Sequence, residues 1–176
     1  MTKLLAGHDI AHQIEQKFPG AVIDAVPEFA MVKADKLIEV CTFLRDDPEL
    51  DLAYLNSVTA VDRMDTFEVV YHMTSIRLNQ IGSIKTSTTE RDKPVVPSVS
   101  SVWPGAHLQE REAYDLMGIV FDGHEDMRRI FLWEGFDGWP LRKDFMNIPG
   151  HMAGLERFPG EPGTKLEGRG NVEAQD

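Results

Sequence analysis

Between Phe67 and Thr74 the chain alternates: Phe67, Val69, Tyr71 and Met73 form one row, and Glu68, Val70, His72 and Thr74 form the other. A period of two turns the first row toward a core and the second, mostly polar, outward, so this segment predicts a strand. Ile76 to Thr86 reads as its partner, weakened by Gly82, and Thr86 to Lys93 as a turn or an exposed strand end. Upstream, Ile10, Ile14 and Phe18 recur at helical spacing behind Asp9, a candidate N-cap, and Pro19-Gly20 marks the stop. Ala21 to Val26 and Phe29 to Lys33 are short Val- and Ile-bearing runs around Pro27-Glu28, a strand, turn and strand. A second helix follows from Asp35 as cap, with Leu37, Cys41 and Leu44 on one face and Asp47-Pro48 as the stop. Pro94 and Pro97 confine Val95, Val96 and Val99 to an edge or an extended segment. Ala106 to Met117 predicts a third helix, closed by Gly118 where a left-handed cap is commonly needed. The order describes an α+β, two-layer domain, its helices packed on a mixed, largely antiparallel sheet. Residues 1–146 form this domain. The Pro- and Gly-rich composition of 147–176 predicts an irregular, extended or partly disordered C-terminal arm.

Composition narrows the function. The chain has 176 residues and a formal charge of −11, with no local stripe of Lys and Arg, so phosphate backbones and anionic lipid heads repel it and autonomous nucleic-acid binding is not expected. A single cysteine, Cys41, excludes an intrachain disulfide, a self-contained iron–sulfur cluster and a Cys-rich zinc site, and its helical position reads as core. Lys3 is followed by too short an apolar run for a signal peptide, and no segment approaches the roughly 18 to 20 apolar residues of a membrane span. A soluble, globular chain is expected, held at any membrane by something else.

The usual marks of catalysis are missing from the pattern. Gly168-Arg169-Gly170 follows no strand, so no phosphate-binding loop is read there, and His124-Glu125 lacks the second histidine of a helical zinc motif because position 128 is Arg128. His107, His124 and His151 with Glu110, Glu125 and Asp126 have no metal-ligand spacing, and hydrogen-bonded structural histidines are the simpler reading. The unusual stretch is 110–145. Arg111, Arg128, Arg129, Arg142 and Lys143 face Glu110, Glu112, Asp115, Asp122, Glu125, Asp126 and Asp144, with Phe121, Phe131, Trp133, Phe136 and Trp139 between them. Arginines interleaved with aromatics suit a protein–protein docking surface, and equally an internal ion-pair network bracing a loop-rich segment.

The same stretch carries a resemblance. Glu110-Arg111-Glu112-Ala113-Tyr114-Asp115-Leu116-Met117-Gly118-Ile119, then Phe121, Gly123-His124, Arg128-Arg129-Ile130 and Gly138-Trp139-Pro140-Leu141-Arg142-Lys143-Asp144-Phe145, closely resembles the signature of the thirty-kilodalton subunit of NADH-quinone oxidoreductase, respiratory complex I. Leu44 to Leu50, Thr59 to Asp62 and Ser101 to Pro104 are similar to the family's helix end, following loop and pre-signature segment. Glu125 and the Trp133-Glu134-Gly135-Phe136 turn depart from the family pattern without removing a ligand or catalytic group. The resemblance implies a cofactor-free, non-catalytic subunit of a proton-translocating enzyme, peripheral on the cytoplasmic side of the cell membrane. FMN, iron–sulfur clusters and quinone then belong to partner subunits, and the partners are the large quinone-site subunit of the forty-nine-kilodalton type and the adjacent iron–sulfur subunit. An equivalent subunit of a ferredoxin- or other-donor-driven quinone oxidoreductase, or of a membrane-bound hydrogenase, is the alternative. On this reading Glu110, Arg111, Glu112, Tyr114, Asp115, Gly118, Gly123, His124, Arg128, Arg129, Pro140, Arg142, Lys143 and Asp144 form the partner interface or the brace behind it.

Overall fold

The computed structural model describes residues 2–145. The arm read from 147–176 and His151 lie outside the described residues. Eleven elements follow in order: β1 (Lys3–Leu4), α1 (Gly7–Lys17), β2 (Val22–Val26), β3 (Phe29–Val32), α2 (Leu37–Asp46), β4 (Tyr54–Asp62), β5 (Phe67–Ser75), β6 (Gln80–Thr88), β7 (Val95–Pro97), α3 (Ala106–Met117) and β8 (Val120–Asp122), with a single 3-10 turn at Ala34–Lys36 before α2. Six strands make one mixed sheet in the order β2-β3-β6-β5-β4. β1 joins it by pairing with β6. The β2·β3, β4·β5 and β5·β6 pairs are antiparallel, whereas β1 and β3 both run parallel to β6, at Gln80–Ile81 and Ile84–Lys85 respectively. β7 and β8 form a separate parallel pair. The fold is α+β, as the pattern predicts.

The alternating row of β5 is the centre of the core: Phe67, Val69, Tyr71 and Met73 are all fully buried. Ile10 and Ile14 of α1, Leu37, Val40, Cys41 and Leu44 of α2, and Ala106 and Ala113 of α3 pack into the same cluster. Each fully buried large aliphatic or aromatic side chain contributes about 1.5–3 kcal/mol. Cys41 takes the core role expected of it, and burial pushes its thiol well above the usual range, with Glu110 adding to the effect.

Four boundaries differ from expectation, each for a local reason. α1 starts at Gly7 behind Ala6, so Asp9 is a first-turn residue and not the cap. Gly7 donates its N–H to the Pro27 carbonyl and lies so close to the Val26 and Phe29 carbonyls that no Cβ would fit, which draws the helix start back to the β2–β3 turn. Asp35 falls in the 3-10 turn, and Lys36 occupies the cap of α2. Ile76 belongs to the β5–β6 turn and not to β6, with 77% of its surface exposed. β4 has no counterpart in the sequence pattern, and Thr59 to Asp62, expected as loop, form its second half. A register shift between Leu55 and Ser57 separates its buried residues Leu55 and Val58 by three positions, which erases the period of two.

Candidate functional site

The 110–145 stretch folds back on itself. α3 supplies its first half and ends at Gly118 with φ 73° and ψ 23°, the left-handed cap the sequence predicts. β8 follows, and the chain from Gly123 onward returns along α3, turning at Gly123, Gly135 and Gly138 with φ of 84°, 88° and 91°. A carboxylate on α3 organises that return. Asp115 is fully buried, and its Oδ2 accepts the backbone N–H groups of Ile130, Phe131 and Leu132 at 3.0, 2.6 and 3.0 Å, while its Oδ1 accepts from Arg129 Nη1 at 3.1 Å. Burial alone would raise its pKa, but the three N–H groups and the guanidinium hold the carboxyl below the usual carboxylate range. Three successive amides converging on one oxygen make an anion nest, here filled by the protein's own side chain.

The arginines complete the brace from the other direction. Arg129 also donates to the carbonyls of Asp115, Phe136 and Gly138 and lies 4.5 Å over the Trp139 ring. Arg111 donates to the carbonyls of Arg128 and Arg129, and Arg128 makes a bidentate pair with Asp126 at the surface. Arg142 donates to the Met117 and Arg91 carbonyls and stacks 5.0 Å over Phe67. Its Nη2 is buried without an acceptor among the described residues. A Cβ on Gly118 would stand 2.5 Å from the Trp139 ring and 2.8 Å from that same Nη2, so the glycine is required by space as well as by φ. Tyr114 meets Trp139 edge-on at 5.4 Å.

Glu110, read as a member of the ion-paired set, has no cation within ion-pair distance among the described residues. It is fully buried, with Oε2 accepting from the Ser98 hydroxyl at 2.6 Å and Oε1 from the Val99 N–H at 2.7 Å. Burial raises its pKa, against the two hydrogen bonds and the nearby His124. His124 Nδ1 accepts the Asp126 N–H, which leaves Nε2 to donate to the His107 carbonyl at 3.0 Å, so this ring is held as a structural link. Glu112 and Lys143 are exposed; the Lys143 backbone N–H, not its side chain, is what binds, at Asp62 Oδ2. Pro140 is half-buried, and Gly123 faces open space. Asp144 reaches Arg91 at 3.4 Å.

Asp62 and Arg91 are the members that reasoning from motifs does not assign. Arg91 forks onto Asp62 at 2.8 and 3.2 Å and lies 4.6 Å over Phe67. The Arg91 side chain, with the Met64 and Lys143 N–H groups, holds the Asp62 carboxyl far below its ordinary value. The pair joins residues 29 positions apart, and only the reach of the fold across the end of β4 brings them together.

Open space around the site is shallow. A slot of about 100 Å³ lies between β4 and α3, lined by Val58, Ala60, Ala113, Leu116, Met117 and Leu141 with Glu112 among them. A groove of about 560 Å³ runs past Ser100, Ser101, Pro104, His107, Gly123 and Glu125. Among the described residues no group of three or more His, Cys, Asp or Glu side chains is placed to hold a metal ion, and no helix is long and apolar enough to cross a membrane.

Comparison with known proteins agrees with the motif. The profile of the family described as respiratory-chain NADH dehydrogenase, 30 Kd subunit, matches residues 30–149. The NADH-quinone oxidoreductase C-subunit of Azorhizobium caulinodans is 43% identical over 144 residues, covering 78% of this chain and 67% of that protein. The protein of the same name from Hyphomonas neptunium is 41% identical over 150 residues, covering 81% and 73%. A C-subunit of the Rhizobium meliloti NADH-quinone oxidoreductase is 52% identical over 116 residues, 64% of this chain, and there the match spans less than two thirds of the relative, 57% of its length. Among solved structures, a chain of the membrane-bound sulfane sulfur reductase, an archaeal respiratory membrane complex, superposes with a TM-score of 0.64 at 28% identity, over 79% of this chain and 85% of that one. Signature, fold and these likenesses agree, and the chain belongs to the family of the 30 kDa subunit of respiratory-chain NADH dehydrogenase.

Proposed function

We propose that this chain is a non-catalytic, cofactor-free subunit of the peripheral arm of a proton-translocating NADH-quinone oxidoreductase, on the cytoplasmic side of the membrane. It scaffolds the large quinone-site subunit and the adjacent iron–sulfur subunit, which with the flavin subunit hold the quinone, the clusters and FMN. The observation that carries this reading is the use made of the signature charges. Asp115, Arg129, Arg111 and Arg142 are committed to backbone groups of their own chain, and such a rigid return suits a part that keeps others in register. A displacement of about an ångström at a reacting centre can cost on the order of 10²-fold in rate, so a scaffold without an acid, base or nucleophile still has catalytic weight. By the same geometry the arginines and Asp115 act as the brace, and the partner surface lies on what they leave outside.

The test is affinity purification of the tagged chain from gently solubilised membranes, with an assay of NADH-driven quinone reduction. Recovery with the quinone-site, cluster and flavin subunits supports the reading; a chain that purifies alone, active or metal-loaded, overturns it. A second reading, the equivalent subunit of a complex fed by another donor, is favoured by the likeness to a chain of the sulfane sulfur reductase. Recovery of quinone-site and cluster subunits without an NADH-oxidising flavin subunit would select it.

A further inference from the structure

Five aromatic residues stand among the charges of the 110–145 stretch, and the fold sorts them. Phe121 and Phe136 are buried, and Trp133 and Trp139 are half-buried, with Trp133 edge-on to Phe136 at 4.9 Å and Trp139 under Arg129. Phe131 alone of the five turns outward, with 64% of its surface exposed, and no other phenylalanine among the described residues is exposed. Its backbone is nevertheless the most tightly held of the loop, the N–H lying 2.6 Å from Asp115 Oδ2 between those of Ile130 and Leu132. A desolvated Asp–Arg pair thus fixes the stretch of backbone from which one aromatic ring leaves the surface. A ring carried on a backbone held in this way spares binding the cost of ordering the loop and leaves only its own two side-chain torsions to fix, which suits an interface hot spot.

The surroundings define what the ring can enter. Arg128, the exposed cation nearby in the loop, is neutralised by its fork onto Asp126. Glu134, whose charge also acts on Arg128, and Asp137 are exposed later in the same loop, and the chain as a whole carries −11. An apolar knob on an acidic loop of an acidic chain is complementary to an apolar pocket with a basic rim. We propose that Phe131 is the aromatic anchor by which this chain docks into an apolar, Lys/Arg-rimmed pocket of another subunit of its assembly. The inference rests on the subunit reading above.

The test uses the tagged full chain expressed in cells that assemble the complex, as wild type, Phe131→Ala, Phe131→Asp and, as an exposed apolar control on the β5–β6 turn, Ile76→Asp. Both Phe131 variants are expected to fold, with thermal unfolding of the purified chain within a degree or two of wild type, and to lose co-purifying redox subunits about tenfold or more, the effect of a hot spot. The Ile76 variant is expected to retain them. A photo-reactive residue at position 131 in the assembled complex should cross-link to an apolar site of a different subunit with Lys or Arg beside it. Retention of all subunits by both Phe131 variants, or a cross-link to a second copy of this chain or to its own residues 146–176, overturns the anchor while leaving the subunit reading in place. A wild-type chain that brings down no redox subunit overturns both.

Discussion

Asp115 and Glu110 sit on the same helix, are equally buried and titrate in opposite directions because their partners differ. Asp115 meets a guanidinium and three amides; Glu110 meets a hydroxyl and one amide, with no cation paired to it to offset burial. Asp115→Ala leaves Arg129 desolvated without its counter-ion, and breaking such a buried pair from one side costs about 3–5 kcal/mol. Urea unfolding of the purified chain should show that loss, and Arg129→Met on top of Asp115→Ala should cost less than the sum of the two single changes. For Glu110 the sign is reversed. Its folded pKa lies above the 4.5 of a free glutamate side chain, so the folded chain holds the proton more tightly. The stabilisation this gives is complete below about pH 4.5 and disappears as pH rises through the folded value. Glu110→Gln, whose Ser98 partner can turn to accept, should therefore gain on wild type as the pH is raised from about 4 to about 7. A stability difference that is flat across that range would contradict it.

At the scale of the element, α3 is defined by what closes and clamps it. Gly118→Ala forces a Cβ both into a left-handed residue, about 1–2 kcal/mol, and against Trp139 and Arg142, so a melting temperature several degrees lower is expected. The Asp62–Arg91 fork at the end of β4 works through acid: Asp62 is held far below its unfolded pKa by Arg91, so its contribution is complete at neutral pH and lost as the pH falls below the unfolded value. Arg91→Met should flatten the acid limb of the stability profile, which urea midpoints measured at descending pH would show. These elements also mark what a linear reading can see. β5 and α3 are legible because each presents an unbroken period of two or a helix with its glycine stop. β4 is not, because a bulge shifts its buried side after Leu55, and α1 begins early because Gly7 answers to carbonyls in the β2–β3 turn. In the site, the dense charge of 110–145 is plain from sequence, but which charges face inward depends on how the chain returns over α3. The packing of α3 sets Glu110 against Ser98 and Val99, where pairing by sign alone gives it an arginine.

For the whole molecule, the charge of −11 makes docking sensitive to salt: if a basic-rimmed pocket receives Phe131, the association rate should fall steeply from low to physiological ionic strength while dissociation changes little. Surface plasmon resonance of the chain against purified partner subunits at graded salt reads this directly. The shared edge of β6 acts on another axis, time. β1 and β3 both take their places beside β6, and Thr2 bonds to Asn79, 77 positions away. Synthesis at about 5–20 residues per second leaves the first strand waiting several seconds for the strand that will hold it. Through that interval α1 has only the β2–β3 hairpin to pack on, and Ile10, whose place is also against Gly82 of β6, stays partly uncovered.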